Sequence, residues 1–283
     1  MHYLILFLLT CQALLATQTI HSSASVFLES TEFTNSKQKT QGKVYGFQGD
    51  LHLDAHEIRA GYEEARTDTR QPPLSEDLRT KKLFLRYAYA PNDTWSFNAN
   101  TLYVAKDNIA PTEHAKAYGA GVTFVPHKKF SLNLTQFHVD YGTFHTRQSD
   151  VQLDFKTRID ELRLKLTSLT HYIAMEDYTN DPFTKNADKN YLSSALKLHL
   201  HYKTYHFGAA AYMGKRLFAV MDEGMKIQHH AMEFDRTYAA GVGKDFGNFV
   251  VRLQHVYQRA EEIPMQNKNV IVRNTKAALS YRF

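Results

Sequence analysis

Residues 195–202 read ALKLHLHY, and apolar and charged side chains alternate along this stretch without a break. The leucines and the tyrosine occupy the even positions, whereas the lysine and both histidines occupy the odd ones. Successive side chains of a strand point to opposite faces, so such a segment has one apolar and one charged face. The same period occurs in KKLFLRYAYA (81–90), TWSFNANTLY (94–103) and ELRLKLTSL (161–169). The pattern indicates β-strands as the main element of this chain.

Two architectures produce this alternation, and they differ in which face meets water. A soluble sandwich or barrel buries the apolar face, whereas a membrane barrel turns it to lipid and keeps the charges inside. The alternating segments run for about 10 to 14 residues, longer than the strands of about 5 or 6 residues that are usual in soluble proteins. Several apolar rows end in aromatic residues, which is typical of the girdles at lipid interfaces. These features favour the membrane barrel.

The connections between the segments alternate between short and long. Tight links are predicted at residues 54–55, 91–93, 126–128, 168–170, 203–204 and 245–248. Longer polar stretches are predicted at residues 66–79, 106–114, 142–150, 179–190, 222–234 and 261–269. Counting the segments between them predicts an all-β fold: a closed antiparallel transmembrane β-barrel of about 14 strands (range 12–16). Its short turns would be periplasmic and its longer loops extracellular.

The N-terminal segment predicts export. Residues 3–16 form an apolar run of about 14 residues, shorter than the roughly 20 that a membrane-spanning helix needs, and small residues at 22–24 suit a cleavage point. Residues 1–24 are therefore predicted to be a cleaved signal peptide, and residues 25–283 the barrel. The only cysteine is Cys11, so the mature chain would have none. A basic residue before the apolar run is missing, and a lipoprotein cleavage box or a buried helix stays an alternative.

The chain ends in AALSYRF, where Leu279, Tyr281 and Phe283 share one face of the last predicted strand. This ending resembles that of bacterial outer-membrane β-barrel proteins, which typically finish on a strand with a terminal phenylalanine and an aromatic residue two positions earlier. The resemblance implies that these three residues are an assembly signal read by the barrel assembly machinery. It also implies location in the outer membrane of a Gram-negative bacterium, with outer-membrane lipid and lipopolysaccharide as partners.

The interior of the barrel decides its function. About 14 strands leave room for a pore, and neither a plug domain nor a loop long enough to enter the lumen is evident. We therefore expect a porin-like channel for passive diffusion of ions and small hydrophilic solutes. The residues expected to line the pore are basic or histidine: Arg59, Arg86, Lys116, Arg163, Lys165, Lys197, His199, His201, Arg252 and Lys276.

These basic residues outnumber the acidic residues on the same faces, in line with a formal net charge of +5. Rings of like charge attract counter-ions, so we expect a modest anion preference. A mixed set of charges that only hydrates the lumen is the alternative. The segment 130–141 departs from the pattern, because its apolar residues change from even to odd positions midway, as at a bulge.

Other function classes have weaker support. A lipid-modifying barrel enzyme would need a serine and a histidine on the outer wall; only Ser194, near the KLHLH row, and Ser131, near His138, offer a start, and no G-x-S-x-G motif occurs. We predict that the chain is not an enzyme. A structural or adhesive barrel would favour longer, hydrophobic loops, and a long-chain fatty-acid transporter would need an N-terminal plug.

The chain contains 15 histidines, and His199 and His201 share a face. His229 and His230 share a predicted loop with three acidic residues, but without a fixed ligand spacing, so no metal and no cofactor is predicted. Lysine and arginine are spread over the strands, which gives no nucleic-acid surface. The sequence does not decide whether the barrel forms a homo-oligomer.

Overall fold

The structure is a computed structural model in which residues 20–72, 74–108, 111–228 and 230–283 are described. They form 16 strands with three single-turn 3-10 segments, at Tyr178–Asn180, Asp222–Gly224 and Ile263–Met265. The strands are β1 (Ile20–Thr34), β2 (Lys39–Leu53), β3 (His56–Thr69), β4 (Leu78–Tyr89), β5 (Trp95–Asp107), β6 (Lys116–His127), β7 (Phe130–Asp140), β8 (His145–Ile159), β9 (Leu162–Glu176), β10 (Asn190–Tyr202), β11 (Tyr205–Arg216), β12 (Val220–Met221), β13 (Lys226–Ile227), β14 (Met232–Phe246), β15 (Phe249–Glu262) and β16 (Asn267–Arg282).

Fourteen of these strands close into one antiparallel barrel. Each pairs with its neighbour along the chain, except that β11 pairs with β14, and β1 pairs with β16 to close the barrel. The closing register runs from Ser23 opposite Arg282 to Thr34 opposite Ile271. Closure gives every strand two partners, so no open edge remains. The predicted all-β class and strand number are confirmed.

The two ends of the barrel differ in their connections. The turn end carries the first residue of β1, the last of β16 and six tight turns, at residues 54–55, 90–94, 128–129, 160–161, 203–204 and 247–248. The opposite, loop end carries the longer connections. The predicted link at residues 168–170 is wrong, because these residues lie inside β9 and the turn is at Asp160 and Glu161, where Asp160 has a φ of 50°. The predicted loops at 142–150 and 261–269 are largely strand.

The apolar rows lie on the outer surface. Leu83, Leu85, Tyr87 and Tyr89 follow one another there with 38% to 48% of each side chain exposed. Aromatic residues surround the outside of the turn end, among them Tyr89, Trp95, Phe130, Tyr202, Tyr205, Phe249 and Tyr281. A closed wall with apolar rows outside is the fold of a transmembrane β-barrel. None of the helical segments within the described ranges is long and apolar enough to cross a membrane.

The predicted signal peptide lies mostly outside the described residues, which begin at Ile20. Residues 20–24 belong to β1, where Ser23 pairs with Arg282 and Ala24 with Tyr281. Cleavage after Ala24 would therefore remove the first five residues of β1. The peptide stays a prediction, and an intact first strand requires a cleavage point before Ile20.

The largest buried apolar cluster lies inside the barrel, near the loop end. Inward residues of β5 to β9 form one side of it: Leu102, Val104, Ala117, Phe137, Val139, Ile173 and Met175. The other side comes from the connection between β11 and β14. The apolar residues of 130–141 change face as expected, from Leu134 outward to Phe137 inward, but the expected bulge is wrong because β7 is unbroken. Phe137 and Val139 are apolar because they pack against this connection.

Candidate functional site

The connection between β11 and β14, residues 217–231, folds back into the lumen; we call it the inward loop. Leu217, Phe218 and Ala219 are fully buried there, and β12 and β13 form a two-stranded hairpin around the turn at 222–224. The expectation that no loop enters the lumen is therefore wrong. The sequence carries a signal for it, because LFAV at 217–220 is an apolar run in a connection otherwise polar at its centre.

The wall of the barrel satisfies the backbone of the inward loop. The Gln148 side chain accepts a hydrogen bond from the Val220 N–H at 2.8 Å and donates one to the Val220 carbonyl oxygen at 2.7 Å. The Tyr141 hydroxyl donates to the Phe218 carbonyl oxygen at 3.2 Å. Buried backbone groups without partners are costly. These bonds let an apolar loop segment lie in the lumen without that cost.

The tip of the inward loop contacts the wall closely. Gly224 has a φ of 92°, and a Cβ at this position would lie 2.8 Å from the Asn100 Cβ and 3.1 Å from the Phe137 ring. Only glycine meets both conditions without strain. Beyond the tip, the Arg59 guanidinium lies 3.6 Å from the Met225 sulfur. The tip therefore spans the lumen and reaches the strands on its far side.

Ion pairs hold the tip of the inward loop in place. Arg86 lies 3.4 Å from the Glu223 carboxylate, and the Lys226 ammonium lies 4.0 Å from Glu29. Glu29, and Glu63 beyond it, hold the pKa of Lys226 above its ordinary value. A lysine whose pKa is raised stays charged throughout the neutral range. The attachment through Lys226 thus persists at physiological pH.

The wall facing the tip carries paired charges. Arg59 pairs with Asp50 and, at 3.1 Å, with Glu57. Arg86 also contacts Glu57, at 3.0 Å. Lys82, with 3% of its side chain exposed, lies 2.5 Å from Glu63. Arg59 and Arg86 therefore face the lumen, but their charges are largely neutralised at this level.

Two adjoining cavities lie beside the inward loop. One, of about 400 Å³, is bounded by the loop and by β1 to β4 and β14 to β16. The other, of about 440 Å³, lies toward the turn end against β10, β11 and β14 to β16. They share six lining residues: Phe27, Gln48, Ala210, Ala239, Gln254 and Lys276. At this junction the Lys276 ammonium lies 3.7 Å from the centre of the Phe27 ring, so the pair sets the width between the cavities.

The turn end of the lumen has an excess of positive charge. Lys165 pairs with Asp154 at 3.1 Å, but Arg163 and Arg252 form no ion pair with any residue that the structure describes. Arg163 lies opposite His201 and Arg158 on the inner face, and Arg252 lines the lower cavity with His199. Unpaired cations here raise the local concentration of anions.

The structure places nine of the ten expected pore residues on the inner face. Lys197 lies there over the Tyr212 ring, at 5.5 Å. Lys116 is the exception and a correction: it pairs with Tyr103 on the outer surface, in line with Tyr118, which is 53% exposed. A lysine near the end of an outward row can place its ammonium at the lipid headgroups. Sequence reasoning omitted Lys82, although it shares the inner face of β4 with Arg86. It also omitted Lys226, whose place in the lumen depends on the inward loop.

The serines and histidines considered for lipid chemistry do not come together. Ser131 is inward and donates a hydrogen bond to Asp154 at 3.4 Å, whereas His138 is on the outer face. Ser194 is outward and bonded to Thr170 at 3.0 Å, whereas His199 is inward. Neither pair forms a nucleophile with its base in the described parts of the chain. His229 lies outside the described residues, and His230 packs edge-on to Phe33.

The expected assembly residues form one outward row at the end of β16. The Phe283 N–H donates a hydrogen bond to the Ser22 carbonyl oxygen at 3.0 Å, which joins the last residue to β1. The rings of Tyr281 and Phe283 are 4.9 Å apart, and Phe249 packs on Tyr281 at the same distance. The row is thus part of the aromatic girdle, and its role as a signal stays a prediction.

No protein-family model and no curated protein matches this chain. Among solved structures, a bacterial polysaccharide outer-membrane secretin has a TM-score of 0.55 and 9% identity, with 92% of this chain and 98% of that chain covered. A FadL homologue of Pseudomonas aeruginosa has a TM-score of 0.52 and 11% identity, with 93% of this chain and 90% of that chain covered. OccK8 (OprE) of the same organism has a TM-score of 0.44 and 10% identity, with 94% of this chain and 98% of that chain covered. At such low identity, the first two likenesses show that this chain has the fold of an outer-membrane β-barrel.

Proposed function

We propose that this protein is a porin-like channel of the outer membrane that allows passive diffusion of ions and small hydrophilic solutes, with a modest anion preference. The observation that carries the proposal is the pair of adjoining cavities beside the inward loop. Together they extend along β1, β2 and β14 to β16, from the buried ends of the inward loop toward the turn end. The loop narrows the lumen on one side and leaves this route on the other.

The junction of this route suits hydrophilic solutes, although apolar side chains such as Phe33 and Phe84 also line the upper cavity. Glutamine, lysine and glutamate side chains face it, with Gln48, Gln254 and Lys276 at the junction of the two cavities. An apolar cargo such as a fatty acid would leave these polar groups without partners, which is unfavourable. Small polar solutes and ions can keep their hydration here. The inward loop itself covers the apolar inner surface of β5 to β9, so this surface is not exposed to solutes.

The proposed selectivity comes from the turn end. Around the tip of the inward loop the charges are paired, so they favour neither sign. At the turn end, Arg163 and Arg252 have no carboxylate partner among the described residues. An incomplete basic ring favours anions weakly, because the pore is wide and screened by salt.

The proposed location follows from the outer surface. Its apolar rows and aromatic girdle suit outer-membrane lipid and lipopolysaccharide, and the outward row of Leu279, Tyr281 and Phe283 suits recognition by the barrel assembly machinery. The first residue of β1 and the last residue of β16 lie at the turn end, which we place on the periplasmic side. Bacterial outer-membrane barrels typically have short periplasmic turns and long outer loops, which supports this orientation.

Single-channel recording tests the proposal. The refolded protein, inserted into planar bilayers of neutral lipid, should give discrete conductance steps, and a KCl gradient should give a reversal potential that favours Cl⁻. Folding is verified first by the mobility shift between unheated and boiled samples. A folded, inserted barrel without conductance would contradict the channel and favour a structural barrel, and a phospholipid hydrolysis assay would then test the enzyme alternative.

Charge reversal tests the selectivity separately. Arg163→Glu and Arg252→Glu should each move the reversal potential toward cation preference. Lys244→Glu is the matched control, because Lys244 lies at the same end but on the outer face, where it contacts the rings of Tyr205 and Phe246. An equal shift for Lys244→Glu, or none for the two inward variants, would contradict the proposed source of selectivity.

A further inference from the structure

A cluster of three side chains near the turn end has the composition of a metal centre. We propose that His201, His206 and Asp245 bind a divalent transition-metal ion of the Zn²⁺, Ni²⁺ or Cu²⁺ class. One ligand atom from each residue lies within 4.8 Å of the others. The three residues come from three adjacent strands and face the lumen together.

Strand register brings these residues together. His201 on β10 pairs directly with His206 on β11, and their ring centres are 4.2 Å apart. His206 in turn pairs with Gly243 on β14, and Asp245 lies two residues further along the same face. The His206 Nε2 is 2.8 Å from the Asp245 carboxylate. Because each strand has two partners in a closed barrel, the spacing of the three residues is fixed by the sheet.

The site has room for an ion and a further ligand. Gly208 lies opposite His199 and adds no side chain there. Gly243 lies beside His206, where the Arg252 Cγ would be 3.0 Å from an added Cβ. The lower cavity of about 440 Å³ is lined by His199 and His206, whose ring centres are 6.0 Å apart. The cavity therefore gives an ion a path of entry and leaves room for a further ligand such as water.

Two ring nitrogens support this assignment. The His201 Nε2 donates to the Lys203 carbonyl oxygen at 2.6 Å, which leaves its lone pair on Nδ1. Metal-binding histidines commonly have their other ring nitrogen held in this way by a backbone carbonyl. His206 is buried, and its Nδ1 has no hydrogen-bond partner among the described residues. A buried nitrogen without a partner calls for an explanation, and a bound ion that reorients the ring provides one.

The donors select the class of ion. Two imidazoles and one carboxylate suit Zn²⁺, Ni²⁺ and Cu²⁺, whereas Ca²⁺ and Mg²⁺ prefer several oxygen ligands. The surroundings are cationic: Arg282 lies 3.4 Å from Asp245, and Arg163 lies opposite His201. These cations oppose the binding of a further cation, so the negative charge of Asp245 is needed beside the two imidazoles. Arg282 competes with the ion for Asp245, so its removal should strengthen binding.

Copper binding to the untagged, folded barrel tests the proposal. The protein in detergent is cleared of metal with a chelator, titrated with Cu²⁺ and examined by electron paramagnetic resonance, and the bound metal is counted by mass spectrometry. We expect one tightly bound ion per barrel, with a spectrum showing nitrogen coordination. His206→Gln and Asp245→Asn should each weaken binding at least tenfold, an effect in the range of ligand loss.

Two further variants keep the result independent of misfolding. His255→Gln is the matched control, because His255 lies on the neighbouring strand β15 but faces outward, away from the cluster, and is bonded to Thr275 at 2.9 Å. It should leave the affinity unchanged. Arg282→Gln should increase the affinity, which a damaged protein would not do. All variants must show the mobility shift of the folded barrel.

Three outcomes would overturn the proposal. One is the absence of tight Cu²⁺ binding by the wild-type barrel. Another is equal loss of affinity in His206→Gln and His255→Gln, which would indicate general binding by surface histidines. The third is a copper spectrum without nitrogen ligands.

Discussion

The two sides of the lumen are built from the same alternating strands, yet one is packed and the other is open. On β5 to β9, the packed wall, the inward residues near the loop end are large and apolar, such as Leu102, Phe137 and Ile173. On β1, β2, β11 and β14 to β16, the open wall, the inward residues beside the cavities include polar and small ones such as Gln48, Ala210 and Ala239. Larger apolar residues of this wall, such as Phe33 and Phe234, form a separate cluster near the loop end. The inward loop buries itself against the first and leaves the cavities along the second. The wall against which the inward loop packs, and not strand number, thus decides where the lumen is closed.

Glycine and alanine contribute to the width of the open wall. Gly208, Gly241 and Gly243 face the lower cavity, together with Ala239 and Ala278. A side chain at these positions would extend into the lumen. The packed wall also has inward glycines, but at Gly119 and Gly121 neighbouring side chains occupy the space within 2.3 to 3.3 Å of an added Cβ. Gly208 therefore leaves space, whereas Gly119 and Gly121, like Gly46 of β2 beside the Phe27 ring, admit neighbouring side chains.

Removal of the inward loop should have the largest effect on this comparison. Replacing residues 220–227 by two glycines removes β12, β13 and the tip, and with them the ion pairs to Arg86 and Glu29. We expect the single-channel conductance to rise several-fold, because the packed wall would then face water. An unchanged conductance in a folded variant would show that the loop does not narrow the pore.

Two phenylalanines test the difference in packing. Phe218→Ala removes a fully buried ring of the inward loop and should lower the free energy of unfolding by about 3 to 5 kcal/mol. Phe27→Ala removes a half-buried ring of the open wall and should lower the free energy of unfolding by about 1 kcal/mol. Urea unfolding in detergent measures both. Equal losses would mean that the two walls do not differ in packing.

Two glycines test the same difference at the level of one methyl group. Gly224→Ala places a Cβ against Asn100 at a φ of 92°, so it should destabilise the barrel by about 2 kcal/mol. Gly208→Ala meets only the Leu198 carbonyl oxygen, at 4.0 Å, and should change stability by less than about 0.5 kcal/mol. Thermal unfolding followed by electrophoretic mobility compares them. A stable Gly224→Ala variant would show that the tip can move away from the packed wall.

A single exposed ion pair should have the smallest effect. Glu223→Gln removes the contact with Arg86, but half of the Glu223 side chain is exposed, so the loss of stability should stay below about 1 kcal/mol. The tip would keep its contacts through Gly224 and Lys226. We expect a small rise in open-channel current noise with an unchanged mean conductance. A large change in the mean conductance would show that the Glu223–Arg86 pair by itself holds the inward loop in the lumen.

The strand pattern was predictable because it is local. ALKLHLHY and the related segments give the faces of their strands directly, and the structure confirms the closed barrel of 14 strands and its outward apolar rows. Links such as Asp54–Ala55 and Lys203–Thr204 were predictable from turn chemistry. The link at 168–170 was misplaced because Asp160 and Glu161 give a weaker turn signal inside a long alternating stretch.

Inside the barrel the prediction was incomplete. The face of each strand indicated nine inward residues, but Lys116 is outward because rows near the headgroups admit basic side chains on either face. The sequence showed an excess of basic residues, whereas only the structure shows which of them, like Arg59, are paired. His206 and Asp245 were missed as partners of His201, since they lie 5 and 44 residues away along the chain and meet only through strand register.

The sequence by itself determined a two-faced strand, its length and its repetition, because the alternation of side chains along an extended backbone is a property of neighbouring residues. Tertiary structure alone decided the path of residues 217–231, the pairing of the lumen charges and the meeting of the two histidines with Asp245. These features depend on closure, which brings distant strands around one interior. There, burial and charge act between residues that no local pattern connects.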